Sequence, residues 1–353
     1  MSQNSISRLK TNNLDLLRFL LALTVCLVHS YDLSGISGLY FLKNYLSSTT
    51  AVQAFFVISG FLIFMSFEKS SGVQSYFAKR LRRIYPLYFF IVMLAAIGLL
   101  AVSENTAENY FTPQWVKYVI ANLLFLNFLQ PTLPGVFETN AVQVVNGALW
   151  TLKIEVMFYL SVPVFVYLFR RFNRGLVLFS VYCLSIFYSE FMLYMATETG
   201  ADLYFKLERQ LPGQLSYFFV GAFLFYYLEF FEKNLKYFVI AAFLVLVVNE
   251  YQQLRFLLPF AFSIIVIFIG IFFYLGNFGK YGDFSYGLYI VHFPIIQLFV
   301  SFNWFNDQPL VFLVSILILS IGFSILLWHL IEKRFLQRNN HYVVSTGKSS
   351  NSV

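Results

Sequence analysis

The sequence predicts an all-α protein: a polytopic membrane helical bundle of about ten transmembrane helices. Three observations lead there. Hydrophobic residues make up 59% of the 353 positions and charged ones only 12%, about half the ~25% charge of a soluble chain. The apolar residues fall in runs of ~20, the length that crosses a hydrocarbon core ~30 Å thick. Mean hydropathy is +0.70. A soluble enzyme, a disordered chain and a secreted disulfide scaffold are thereby excluded, and both cysteines, Cys26 and Cys183, lie inside apolar runs.

The runs place helices at 14–33, 47–66, 84–103, 148–169, 175–195, 211–230, 236–249, 256–275, 285–303 and 310–331. The stretch 116–130 is apolar but short, and it lies between Pro113 and the Pro131–Pro134 pair. It reads as a re-entrant or interfacial helix. With the N-terminus inside, 17 of the 24 Lys and Arg residues fall on the cytoplasmic side and 5 outside. The positive-inside rule thus puts both termini in the cytoplasm. It also accounts for the net charge of +7, so membrane lipids are the expected surroundings and no nucleic acid is invoked. The first apolar run contains Arg18 and has no small-residue cleavage site after it, so no cleavable signal peptide is read. The division is a cytoplasmic segment 1–13, a membrane domain 14–335 and a cytoplasmic tail 336–353 whose Ser- and Asn-rich end reads as disordered.

Ionisable residues inside a bilayer are costly and therefore functional candidates. On the first helix Arg18 and His29 stand eleven residues apart, about 20° beyond three full turns and ~16 Å of rise, so they share a face. Arg18 reads as a snorkelling anchor near the cytoplasmic surface or as an anion ligand. His29, ~22 Å deep, reads as an interhelical hydrogen bond or a base. On the second helix Ser59-Gly60 either packs helices or offers a nucleophile. The run Lys79-Arg80-Leu81-Arg82-Arg83 at the cytoplasmic mouth of the third is a topology signal or a polyphosphate clamp, because Arg forks match phosphate oxygens.

On the fourth helix Glu155 lies ~20 Å from the inner face, nearly the depth of His29, as a buried His–carboxylate pair would require. Lys153 snorkels outward or acts as a second charge partner. Ser285-Tyr286 through His292 and Pro294 opens the ninth helix, where His292 is either a structural hydrogen bond or a substrate contact. The Gly276–Gly282 loop reads as an interhelical turn rather than a phosphate cradle, and no metal-ligand spacing appears.

Taken in order, these motifs resemble the acyltransferase-3 family of integral-membrane O-acyltransferases. The matches are Arg18 with His29, Phe55-Phe56 with Ser59-Gly60-Phe61, Arg80-x-x-Arg83-Ile-x-Pro86, Trp150-Thr-Leu-x-x-Glu155-x-x-Phe158-Tyr159, and Ser285-Tyr286-x-x-Tyr289 with His292 and Pro294. They run from about Asn13 to Phe335. Where many members have proline, this chain has Arg334.

The resemblance implies a bacterial inner-membrane enzyme that moves an acetyl group from cytoplasmic acetyl-CoA to a hydroxyl of a surface or secreted carbohydrate. O-antigen, capsule and exopolysaccharide are such acceptors, and no bound cofactor is required. It implies His29 as general base with Glu155 beside it. Arg80, Arg82, Arg83 and Arg18 would meet the CoA phosphates, while Ser59, Lys153, Tyr286 and His292 take substrate or structural roles. Two rivals remain: a proton-coupled secondary transporter using His29 and Glu155 as a relay, and a structural subunit of an export complex.

Overall fold

The computed structural model describes residues 8–9, 11–276 and 278–336, and among them there are helices and no strands. The expected disordered end of the tail and most of the N-terminal segment lie outside these residues. Each of the ten apolar segments is helical. The main helices are α1 (Leu14–Ser34), α2 (Ser48–Glu68), α3 (Val73–Gly98), α4 (Pro113–Leu123), α5 (Trp150–Arg171), α6 (Arg174–Thr199), α7 (Leu211–Tyr226), α8 (Leu235–Asn249), α9 (Leu258–Ile267), α10 (Ser285–Ser301) and α11 (Pro309–Leu327). Six are long and apolar enough to cross a membrane: α1, α2, α3, α5, α6 and α11, some with short extensions. Of the other five, α7 to α10 have 16, 15, 10 and 17 residues, and a five-residue π turn lengthens α9.

Two boundaries differ from expectation, and a third region is as short as expected. The third helix begins at Val73, not 84. The basic run lowers hydropathy, but Lys and Arg are good helix formers, so the helix continues through them and the arginines stand within it. The sixth segment breaks at Tyr227, and a separate turn of helix spans Leu228–Lys233. In the 116–130 region, α4 has 11 residues, ~17 Å of rise, too little to cross.

The chain forms two compact units. The first comprises Met1–Val25, Ser47–Phe77 and Leu149–Asn277; the second comprises Cys26–Leu46, Ala78–Ala148 and Phe278–Val353. Both α1 and α3 contribute to each.

In the first unit, α2 and α7 meet backbone to backbone. A Cβ on Gly60 would lie 1.9 Å from the Phe218 carbonyl oxygen, and one on Gly221 would lie 2.1 Å from that of Val57. Only glycine admits such an approach. Around the crossing, Phe158 stacks on Phe218 with centroids 4.0 Å apart, and Phe56 meets Phe158 edge-on. Proline cannot donate to the carbonyl four residues back. Pro163 in α5 leaves that of Tyr159, which accepts instead from the Tyr76 hydroxyl at 3.1 Å. Asn13 serves the π turn after α9 in the same way. Its backbone N–H donates to the Gly270 carbonyl at 2.7 Å, its side-chain N–H groups to the carbonyls of Ile269 and Phe273, and its side-chain Oδ1 accepts from Leu275 N–H. By contrast, α8 buries only Ala242, leaving Tyr237, Ile240, Phe243 and Leu244 exposed.

In the second unit, the segment 103–147 folds onto α10. The hinge is Gln297, fully buried. Its amide donates to the carbonyls of Val142 and Val144 at 2.5 and 2.7 Å, and its own oxygens accept from Asn140.

Candidate functional site

Within the second unit α1 and α10 bring together two imidazoles. His29 Nδ1 lies 2.9 Å from His292 Nε2, and the rings are stacked with centroids 5.2 Å apart. The other nitrogen of His292, Nδ1, is 3.1 Å from the carbonyl oxygen of Leu288 one turn earlier. His292 has no exposed surface, whereas His29 is half-buried. Phe293 packs edge-on against His29, and a Cβ on Gly147 would fall 2.7 Å from its ring. That glycine lets the 103–147 segment pack close beside the pair.

The local backbone explains why the pair sits where it does. Pro294 interrupts α10 and cannot donate to the carbonyl of Ile290. Asn146 supplies the missing donor through its side-chain amide at 2.8 Å, and its oxygen accepts from Ala148 N–H. The turn that carries His292 is therefore held by the 103–147 segment, through Asn146, rather than left with an unsatisfied carbonyl, which is costly in lipid.

At the end of the same unit where α10 begins, Arg83 is held by two carboxylates. It pairs with Asp283 and, at 3.2 Å, with Glu332, and the two acids are almost wholly buried. Asp283 also accepts from the backbone and hydroxyl of Ser285 at the start of α10, and the Tyr286 hydroxyl donates to the carbonyl of Ile84 at 3.0 Å. Within the expected three-arginine clamp, Arg83 is paired with carboxylates. Arg83 ties α3 to the ends of α10 and α11, while Arg80 is half-buried and Arg82 exposed. Neither Asp283 nor Glu332 stood out in the sequence, since both lie outside the apolar spans. Arg83's spacing from Arg80 was the one signal, and it pointed to phosphate.

The remaining candidates belong to the first unit. Arg18 is half-buried on α1. Glu155 accepts a 2.5 Å hydrogen bond from the Tyr159 hydroxyl, one turn along α5. Lys153 donates to Gln210 Oε1 at 2.6 Å. Ser59 precedes the glycine of the α2–α7 crossing. The depth match nominated Glu155 for His29; the hydrogen-bond partner of His29 is His292, and that of Glu155 is Tyr159.

Outside the spans, Lys43 donates to Asp32 at 3.1 Å, and this bond together with the carboxylate charge raises the ammonium above its ordinary range. Glu208, beyond α6, is raised by burial, against which the Ser189 hydroxyl bond works. Among the described residues no group of three or more His, Cys, Asp or Glu could hold a metal ion. The chemistry on offer is that of a partly buried imidazole backed by a fully buried one.

Comparison with known proteins gives this arrangement its context. The family model described as "Acyltransferase domain" matches residues 11–329. The chain is similar to a protein named O-acetyl transferase of Shigella phage Sf6, 27% identical over 341 residues, covering 94% of this chain and 98% of that one. It is similar over shorter stretches to nodulation protein 10 of Rhizobium leguminosarum bv. viciae, 29% identical over 46% of each chain. A putative acetyltransferase of Acidianus two-tailed virus is 29% identical over half of each. No solved structure matches. With one family model covering the membrane helices from α1 to α11, the chain belongs to the acyltransferase-3 family and is a multi-pass membrane acyltransferase.

Proposed function

We propose that this enzyme transfers an acetyl group from cytoplasmic acetyl-CoA to a hydroxyl of a surface or secreted carbohydrate, free or lipid-linked. It does so in the bacterial inner membrane with both termini in the cytoplasm. The observation that carries the reading is His29, a partly buried residue whose imidazole is hydrogen-bonded to a fully buried partner. It stands in a chain that follows a protein named O-acetyl transferase along 94% of its length.

His29 removes the proton of the acceptor hydroxyl as that oxygen attacks the thioester carbonyl carbon. The new C–O ester bond forms, the C–S bond breaks, and the CoA sulfur leaves with the proton that His29 returns. General-base action of this kind contributes typically ~10²–10⁴-fold. Arg80 and Arg82 meet the CoA phosphates, with Arg18 a further phosphate contact, since guanidinium forks suit phosphate oxygens. Arg83 is spent on Asp283 and Glu332 and holds the helix that presents the other two. Glu155 is the further carboxylate that the family resemblance brings to the reaction.

The test is thioester cleavage of acetyl-CoA by the purified protein in detergent, with and without a simple glycan acceptor. Loss of cleavage in a folded His29→Ala variant supports the reading. Full cleavage by that variant removes His29 from the chemistry. A wild-type protein that neither cleaves nor binds acetyl-CoA sinks the donor assignment and leaves transport to be measured.

A further inference from the structure

The hydrogen bonds around the two imidazoles form a directed chain. A backbone carbonyl can only accept, so the contact between His292 Nδ1 and Leu288 O requires the proton on Nδ1. A neutral imidazole carries one ring proton, and a charge enclosed at this depth is costly. His292 Nε2 is then bare and accepts. The atom facing it at 2.9 Å is His29 Nδ1, which must therefore be the N–H. His29 has no second ring proton, and its Nε2 lone pair is left free. The nitrogen hydrogen-bonded to a partner fixes the tautomer of the ring, as in any oriented catalytic histidine.

We propose that His292 is a positioning residue that holds His29 as the Nδ1–H tautomer and so makes Nε2 the basic nitrogen. This rests on the reading of His29 as the base. It assigns to a neutral imidazole the orienting task that a carboxylate performs in a Ser-His-Asp triad.

Burial separates the two roles. His292 has no exposed surface and is out of reach of any substrate, while His29 is half-buried. The support behind His292 is equally specific. Pro294 leaves the Ile290 carbonyl without its helical donor, Asn146 fills that place, and the turn bearing His292 keeps its register. Phe293 packs on the edge of the His29 ring and limits its rotation.

The test uses the full-length protein with ¹⁵N-labelled histidine in detergent or nanodiscs. Nitrogen shifts at neutral pH read the tautomer of His29 without turnover, assigned by comparison with His29→Ala. The expected result is a protonated Nδ1 and a bare Nε2; an Nε2–H ring in the wild-type protein overturns the proposal.

Variants give a second, independent reading. His292→Leu removes the acceptor, and kcat for thioester cleavage should fall ~10²–10³-fold, within the range of general-base effects, with KM for acetyl-CoA little changed. His292→Gln places a carbonyl oxygen near the lost Nε2; it should restore the Nδ1–H form and bring kcat back to within about tenfold of wild type. A folded His292→Gln that is as slow as His292→Leu while carrying the same His29 tautomer also overturns it. Failure of the base assignment is separately visible: His29→Ala would then cleave normally, whatever the tautomer in the wild-type ring.

Discussion

The side-chain amide of Asn146 donates to the carbonyl oxygen of Ile290 at 2.8 Å, in the place of the N–H that Pro294 lacks. Asn146→Leu should strand that buried carbonyl and cost about 1–3 kcal/mol. Adding Pro294→Ala returns the helical N–H and should recover most of the loss. A double-mutant cycle on thermal unfolding in detergent measures the coupling; strictly additive effects would show that the two residues do not share one acceptor.

Arg83 and Arg82 should separate cleanly. Arg83→Gln leaves Asp283 and Glu332 buried without their shared guanidinium, and removing one partner of a buried pair costs about 3–5 kcal/mol. The expected outcome is loss of folded protein. Arg82 is exposed, so Arg82→Gln should leave stability within ~0.5 kcal/mol and raise KM for acetyl-CoA. Fluorescence-detected size exclusion and steady-state kinetics on the two variants decide it, and a stable Arg83→Gln with a raised KM would return Arg83 to the phosphate site.

Gly60→Ala should be disruptive out of proportion to one methyl group. The added carbon meets the carbonyl of Phe218 at 1.9 Å, and backbone cannot move aside as a flexible side chain can. A cost of at least ~1–3 kcal/mol is expected from overpacking. Ser59→Ala, one residue earlier, should retain activity; its inactivation in a folded protein would instead point to an acyl-serine intermediate.

Glu208 sets a pH dependence whose sign follows from burial. Its carboxyl is raised above the ordinary value of 4.5, so the folded protein holds that proton over a range where the unfolded chain has released it. Stability from this group therefore falls as pH rises from about 4.5 to the raised value and is level above it. Glu208→Gln keeps an acceptor for the Ser189 hydroxyl and removes the desolvated charge. Melting temperature should rise at neutral pH and lose that slope. A variant less stable than wild type at pH 7 would contradict the burial argument.

Hydropathy made the helices legible, because lipid crossing demands long apolar runs and little else does. It failed at the start of α3, where charged residues continue a helix that apolarity alone would end. The site was legible residue by residue but not as pairs. His29 and His292 were both singled out, yet they lie 263 positions apart, and a depth argument cannot choose between a carboxylate and an imidazole at similar height. The partners of Arg83 were hidden for a simpler reason. Asp283 precedes a span and Glu332 follows one, where acidic residues are ordinary. Proline positions were visible throughout; which side chain answers each orphaned carbonyl depends on packing that periodicity does not encode.

The bareness of α8 has a consequence for the surrounding lipid. It has 15 residues and buries only Ala242, so as a span its ~22 Å would fall short of an acyl-chain core ~30 Å thick. Lys233 and Lys236 stand at one end and can reach outward, but the remaining mismatch falls on the bilayer, which must thin beside this flank. Activity in reconstituted vesicles should then favour short-chain lipids, a preference set by one poorly covered helix and by no residue of the reaction.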